Sequence, residues 1–446
     1  MDKQDFNSDQ IKESLSALQK FASVQPGNKK EEKKNKKKKE PNVVLEVSGM
    51  YVLTDGSGDE IESGQAKFIL DEEKISILSE KGQATPLLLR DISEFLADDF
   101  KISLSLIGGG KVILSELGYQ YEDFVRVLNK LHHEITQKEL LMKEGGGKGS
   151  YEGSYVYRKG GEEESGEAEV EVSDTGLVVK PKQGNLIRIS YTEINNFSDK
   201  EYEISIVTES VEILLFGFGE YFDSLSRAIK ESLNELSLKT QSILKEFLPE
   251  LDPLIVKKAS ELLKDGQAVS REKIDKVSPS IWMGLEKKLA ILEIKESYDY
   301  LMSLSKTKQI FFGIKRDLMG DLTGEYIWFL MPINSLKGDN FIVMEAASTI
   351  EGGGKATYFF KISGKENIDE LVKKINRCMI AINFRREPIY LKDEDLEKPE
   401  YLKYKTAVNR IPELKLIRQL FVGRVIHASP EEWKENVNNL IAVGSN

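Results

Sequence analysis

The chain holds three histidines and one cysteine, a small stock of the side chains that shuttle protons near neutral pH, attack as thiolates or bind soft metals. His132 and His133 are adjacent and followed by Glu134, in a segment whose apolar spacing predicts a helix. Neighbours on a helix fan apart by about 100° each, whereas metal ligands converge from positions i and i+4. His427 has no carboxylate or serine partner in its own segment, and Cys378, beside Met379 in a helical run, reads as a small core residue. A single cysteine excludes an internal disulfide framework and a cysteine-built metal site. The residue types therefore predict no catalytic group, no cofactor and no metal.

Two other patterns invite chemistry. Gly-Gly-Gly-Lys occurs at 108–111, 145–148 and 352–355, but a phosphate loop needs Gly, four residues, then Gly-Lys-Ser/Thr between a strand and a helix. Two of the tetrads lie between expected strands, where glycines supply the positive backbone angles of a hairpin, and the third joins two repeats. The acidic clusters Asp71–Glu73 and Glu162–Glu164 fall in expected turns, where a catalytic pair lacks the burial that separates two carboxyl pKa values. They read as solvated loops.

The elements that would position any such groups follow from composition and periodicity. At 446 residues, 40% hydrophobic and 31% charged, the chain has the make-up of a soluble globular protein of two to four domains. No window offers 18 consecutive apolar residues, so no transmembrane segment is expected, and Met1-Asp2-Lys3-Gln4-Asp5 does not open a secretory signal. With its one cysteine the chain fits a reducing interior, and a cytoplasmic location is expected. The net charge of −11 is uneven: +4 over residues 1–40, −9 over 41–144, −8 over 145–247 and +2 over 248–446. The acidic middle repels phosphate backbones, which argues against nucleic acid as a partner.

Near the N-terminus, Ser8 caps an expected amphipathic helix (residues 1–24) with Ile11, Leu15, Leu18 and Phe21 on one face. These four are the candidate partner-binding residues, a docking helix for a partner's groove. Residues 25–40 are almost wholly Lys, Glu and Asn after a Pro-Gly pair, and read as a disordered linker.

An internal repeat of about 100 residues follows. At an offset of 102, Ser63-Gly64-Gln65-Ala66 pairs with Ser165-Gly166-Glu167-Ala168, Gly82 with Gly184, Phe95 with Phe197 and Phe100 with Tyr202. At 101, Leu114 pairs with Leu215, Gly118 with Gly219 and Leu128 with Ile229. Each copy, residues 41–144 and 145–247, alternates with period two between turn signals and then switches to a 3.6 period. In the first copy the strands are expected near Val43–Leu53, Gln65–Leu70, Lys74–Ser79, Thr85–Leu89, Ile92–Leu96, Lys101–Leu106 and Lys111–Leu114, with a helix from Tyr121 to about Lys143.

About seven antiparallel strands closed by one C-terminal helix resembles the pleckstrin-homology (PH) superfold, and both copies carry the likeness over residues 41–247. The resemblance implies a bent sheet plugged by a helix, and a role in binding phosphoinositides or proteins. The headgroup loop expected between the first two strands reads Thr54-Asp55-Gly56-Ser57-Gly58-Asp59-Glu60 in one copy and Arg158-Lys159-Gly160-Gly161-Glu162-Glu163-Glu164 in the other. An anionic lipid would meet like charge there, so phosphoinositide binding is disfavoured.

Residues 248–306 read as a helical connector, with Ser278 capping a helix that has Pro279 first and runs to about Ser305. Residues 307–446 read as a four-stranded α+β domain: strands at Lys308–Arg316, Glu325–Pro332, Asn340–Thr349 and Lys355–Ile362, then a helix from Asn367 to about Asn383. A last helix opens at the capping box Ser429-Pro430-Glu431-Glu432. The fold class expected is α+β multidomain: two consecutive PH-like domains, a helical connector and this C-terminal domain. The expected function is that of a cytoplasmic protein-binding or scaffold protein whose partners are proteins. Two alternatives are an enzyme or small-ligand site in the aromatic-rich C-terminal domain and peripheral membrane recruitment by the basic N-terminal segment.

Overall fold

The computed structural model describes residues 43–139, 147–305, 309–316, 326–334, 340–348, 354–362 and 367–443. The N-terminal helix and the linker to residue 40 lie outside them. The chain divides into two compact units, with the boundary between His132 and His133.

The first unit is a curled antiparallel sheet of seven strands: β1 (Leu45–Thr54), β2 (Glu60–Leu70), β3 (Lys74–Ser79), β4 (Ala84–Leu88), β5 (Ile92–Asp98), β6 (Lys101–Leu106) and β7 (Lys111–Ser115), in the order β4-β3-β2-β1-β7-β6-β5. Alternation makes these strands: in β3, β6 and β7 Ile75, Ile77, Ile102, Leu104, Val112 and Leu114 all point inward and are buried. Helix α1 (Tyr121–Glu139) follows, its Phe124 and Leu128 fully buried and the Phe124 ring 6.3 Å from that of Phe68. Each such apolar side chain contributes roughly 1.5–3 kcal/mol on leaving water.

The turns explain the register. The Asp71 carboxylate accepts the N–H groups of Glu73 and Lys74 at 2.8 and 2.9 Å and is itself buried, so it shapes the β2–β3 turn. That corrects its reading as part of a solvated loop. Asp99 and Phe100 both have positive φ, +45° and +55°, as a two-residue hairpin of primed type requires. The exposed Phe100 ring is held 5.4 Å from that of Tyr121 at the start of α1.

The second unit opens with a sheet of the same order: β8 (Gly149–Lys159), β9 (Glu162–Val172), β10 (Gly176–Pro181), β11 (Ile187–Ser190), β12 (Asn196–Lys200), β13 (Glu203–Val207) and β14 (Val211–Phe216), arranged β11-β10-β9-β8-β14-β13-β12 and followed by α2 (Phe222–Phe247). The hairpin pair reappears as Glu201 and Tyr202, φ +54° and +63°, with Tyr202 5.4 Å from Phe222. Glu162–Glu164 lie in β9 and not in a turn, which corrects the sequence expectation.

Beyond α2 come α3 (Pro253–Leu262), α4 (Arg271–Val277), α5 (Pro279–Ile291) and α6 (Lys295–Leu304). The Ser278 hydroxyl caps α5 by accepting the Ser280 N–H. The single helix expected to reach Ser305 is two, broken at Glu293, whose φ is +55°.

The third sheet has six strands in sequential order, not four: β15 (Val269–Ser270), β16 (Phe311–Lys315), β17 (Tyr326–Asn334), β18 (Asn340–Ser348), β19 (Lys355–Ile362) and β20 (Phe421–Ile426). The extra strands come from the connector and from beyond the following helices. Those are α7 (Ile368–Ala381), α8 (Glu387–Tyr390), α9 (Asp393–Leu396), α10 (Leu402–Arg410) and α11 (Pro412–Leu420), and after β20 the chain ends in α12 (Pro430–Val443). Helices cover both faces. Phe312, Phe329, Val343 and Phe359 pack with α3, α5, α6 and α12, while Trp328, Leu330, Met344 and Phe360 pack with α7, α10 and α11. Burial on both sides is why β17 and β18 read as continuous apolar runs.

Candidate functional site

Each seven-stranded sheet ends in two strands paired on one side only, and these carry the backbone donors and acceptors a partner strand could use. In the first unit they are β4 and β5. β4 contains Pro86, which has no N–H, a common way of blunting an edge. β5, Ile-Ser-Glu-Phe-Leu-Ala-Asp, has neither proline nor lysine, and Leu96 is 58% exposed on its outer face. A register irregularity between Ile92 and Glu94 bends its start, and the carbonyl of Ile92 bonds His132 Nε2 at 3.2 Å, leaving a regular stretch over 94–98 paired to β6. Phe100, 70% exposed, stands just past its end.

In the second unit the equivalent terminal strand is β12, and the chain's own later residues already engage the turn before it. The Lys264 ammonium donates to the carbonyl of Ile194, the repeat equivalent of Ile92, at 2.5 Å, and Gln267 Nε2 donates to the carbonyl of Thr192 at 2.7 Å. Burial pushes the Lys264 ammonium pKa down and the nearby Glu193 carboxyl up, the latter opposed by Arg188. Around this contact lies a cleft of 880 Å³ lined by β12's approach, the β13–β14 turn, α4 and α7. Several of its charges are paired with one another: Lys373 lies 2.8 Å from Glu209 and 2.9 Å from Glu370, and Lys276 lies 2.7 Å from Glu272.

A buried polar chain crosses the third sheet. The Glu345 carboxylate, fully buried on β18, takes a hydrogen bond from His427 Nε2 at 2.7 Å and another from the Thr357 hydroxyl at 2.6 Å; Thr357 in turn accepts the Trp433 indole N–H at 2.8 Å. The His427 and Trp433 rings stack at 5.0 Å. The Thr357 proton is committed to Glu345, and the 3.5 Å from Thr357 to His427 Nε2 is too long for a base to draw on it. The arrangement ties β18, β19 and α12 together and is not a nucleophile with its base. Sequence reasoning left His427 without a partner because Glu345 is 82 positions away; the available signal was a lone carboxylate in the apolar run Phe341–Ala347.

The remaining candidates are placed as follows. Ile11, Leu15, Leu18 and Phe21 lie outside the described residues. His133 Nε2 bonds the carbonyl of Gly184 at 2.9 Å, and burial pushes its pKa down. Cys378 is fully buried on α7, and burial pushes its thiol pKa far up. Of the three glycine tetrads only 108–111 is wholly described: it turns β6 into β7, with φ +86° at Gly109 and +88° at Gly110. Among the described residues, no three His, Cys, Asp or Glu side chains group as a metal site would need, and no helix is long and apolar enough to cross a membrane. No protein-family model matches the chain, and no curated protein is similar to it.

Proposed function

We propose that the protein is a cytoplasmic protein-binding or scaffold protein whose two seven-stranded units are PH-like modules, and that the first unit takes a partner by strand addition along β5. The order β4-β3-β2-β1-β7-β6-β5 followed by one helix, found twice, supports the PH-like reading. The observation that carries the binding site is β5 itself, a terminal strand with neither proline nor lysine, regular over 94–98 and with Leu96 58% exposed, in a sheet whose other terminal strand is blunted by Pro86. The second unit supports the same reading, since its own chain reaches the carbonyls before β12 through Lys264 and Gln267.

Phosphoinositide binding remains disfavoured. In the β8–β9 loop region the Arg158 guanidinium is held between Glu163 at 2.7 Å and Glu212 at 3.3 Å, so its charge is already met. The test of the proposal is affinity capture from native cytosol with the full chain and its Leu96→Lys variant. A partner held by the wild type and released by the variant supports strand addition at β5; equal retention would exclude it. Alanine at Leu15 and Leu18 in the same assay tests the N-terminal helix.

A second reading, a small-ligand site involving the C-terminal region, is favoured by the 880 Å³ cleft, to which α7 contributes Asn376 and Lys373. A soluble ligand that raises the unfolding midpoint of the wild type but not of Lys373→Ala would support it.

A further inference from the structure

Alternation along β5 buries Phe95 and Ala97 and leaves Glu94, Leu96 and Asp98 exposed together on the other face. The strand thus presents carboxylate, isobutyl and carboxylate at every second residue, along an edge paired to β6 alone. In the register with β6 the three stand opposite Ser105, Ser103 and Lys101. Glu94 accepts the Ser105 hydroxyl at 3.2 Å and Asp98 accepts the Asp99 N–H at 2.9 Å. Among the described residues no cation, Lys101 included, lies at ion-pair distance from either carboxylate. The surrounding residues 41–144 carry a net charge of −9.

These charges decide which strand can pair with β5. Like charges directly opposite one another on a sheet face repel, and unlike charges attract. A second copy of β5 laid antiparallel about Leu96 would set Glu94 against Asp98 twice, and laid parallel in register it would set each carboxylate against itself. The chain's own lysine run, residues 29–39, has no apolar residue to cover Leu96. A foreign strand with cations two residues either side of an apolar one meets all three positions. We propose that β5 receives a cationic extended segment of the pattern Lys/Arg-x-apolar-x-Lys/Arg, its cations on Glu94 and Asp98 and its apolar side chain on Leu96. The proposal rests on strand addition at β5 and names the chemistry of the partner.

The test uses the full chain and three end-blocked peptides, Thr-Lys-Thr-Val-Thr-Lys-Thr and its versions with Gln or Glu in place of both Lys, read by calorimetry and by amide exchange at residues 94–98. The lysine peptide is expected to slow exchange there and to bind about fivefold or more tighter than the glutamine peptide at low salt, the gap closing as salt is raised. Glu94→Gln combined with Asp98→Asn should bring the lysine peptide down to the affinity of the glutamine peptide. Asp98→Asn keeps an acceptor for the Asp99 N–H, and an unchanged unfolding midpoint shows that folding is intact. Should the double variant not fold, Glu94→Lys alone replaces it and is expected to shift the preference toward the glutamate peptide. Equal protection of 94–98 by the glutamine or glutamate peptide would leave strand addition standing and overturn the cationic partner. Protection by none of the three would overturn the proposal and count against strand addition itself. Protection in the free chain that rises with its own concentration would assign the edge to a second copy, and protection lost when Lys36, Lys37, Lys38 and Lys39 are replaced by serine would assign it to the chain's own lysine run; either result overturns the proposal.

Discussion

His427 Nε2 lies 2.7 Å from the Glu345 carboxylate, joining the residue just past the edge strand β20 to the fully buried middle of β18. A buried carboxylate persists only where its oxygens are met, and here His427 meets one and Thr357 the other. Removing one partner leaves a desolvated charge half satisfied. His427→Ala is expected to cost about 2–3 kcal/mol, read as a lower urea midpoint for the second unit, with His427→Gln recovering much of the loss because an amide can still donate. An unchanged midpoint in His427→Ala would show that the bond contributes nothing.

Both repeats bury a tyrosine whose hydroxyl donates at 2.6 Å to a glutamate on the neighbouring strand: Tyr51 to Glu62 and Tyr155 to Glu164. Burial, with the glutamate's help, pushes the Tyr51 pKa up to about 12. The unfolded tyrosine ionises near 10, so between these values the native state holds a proton that the unfolded state has released. Stability from this group is complete below pH 10 and is lost as pH rises toward 12. Tyr51→Phe should flatten the decline of the first unit's stability across that window; an identical pH dependence in the variant would refute the assignment.

A methyl group added at Gly49 would stand 2.5 Å from the carbonyl oxygen of Ser115, a backbone atom that cannot step aside. Gly49→Ala should therefore destabilise the first unit by about 2 kcal/mol. Gly166, on β9, meets nothing nearer than the Tyr155 ring at 3.8 Å, and Gly166→Ala should be neutral or stabilising by up to about 1 kcal/mol. Thermal unfolding of the two variants checks the contrast.

Local signals carried most of the half of the molecule built by short-range pairing. Alternation at Ile75, Ile77, Ile102 and Leu104, and the repeat that matches Phe100 with Tyr202, were legible because hairpin partners lie close in sequence and the hairpin tips recur in the same conformation. The third sheet was read less fully. Val269–Ser270 is too short for a period-two signal, and β20 pairs with β19 although 58 positions separate Ile362 from Phe421. Glu345–His427 and the Arg386–Tyr326 stack were hidden for the same reason: each joins residues from distant elements, and a sequence gives residue types without that proximity. The break at Glu293 was missed because its left-handed backbone sits on an ordinary residue with no glycine to announce it.

Cys378 offers a simple check on the packing of α7 beneath the sheet. With the side chain fully buried and burial holding the thiol protonated, a disulfide reagent should not react with the native protein at pH 8 and should label one thiol per chain in denaturant. Rapid labelling without denaturant would mean that α7 opens readily.

The most direct test of strand addition is amide hydrogen exchange across β5 in the full chain, alone and with a partner captured through it. Slowing of exchange by tenfold or more, confined to residues 94–98 and absent when Leu96→Lys is mixed with the same partner, is the predicted result. Protection that leaves these amides unchanged while the partner is bound would place the binding surface elsewhere and contradict the account.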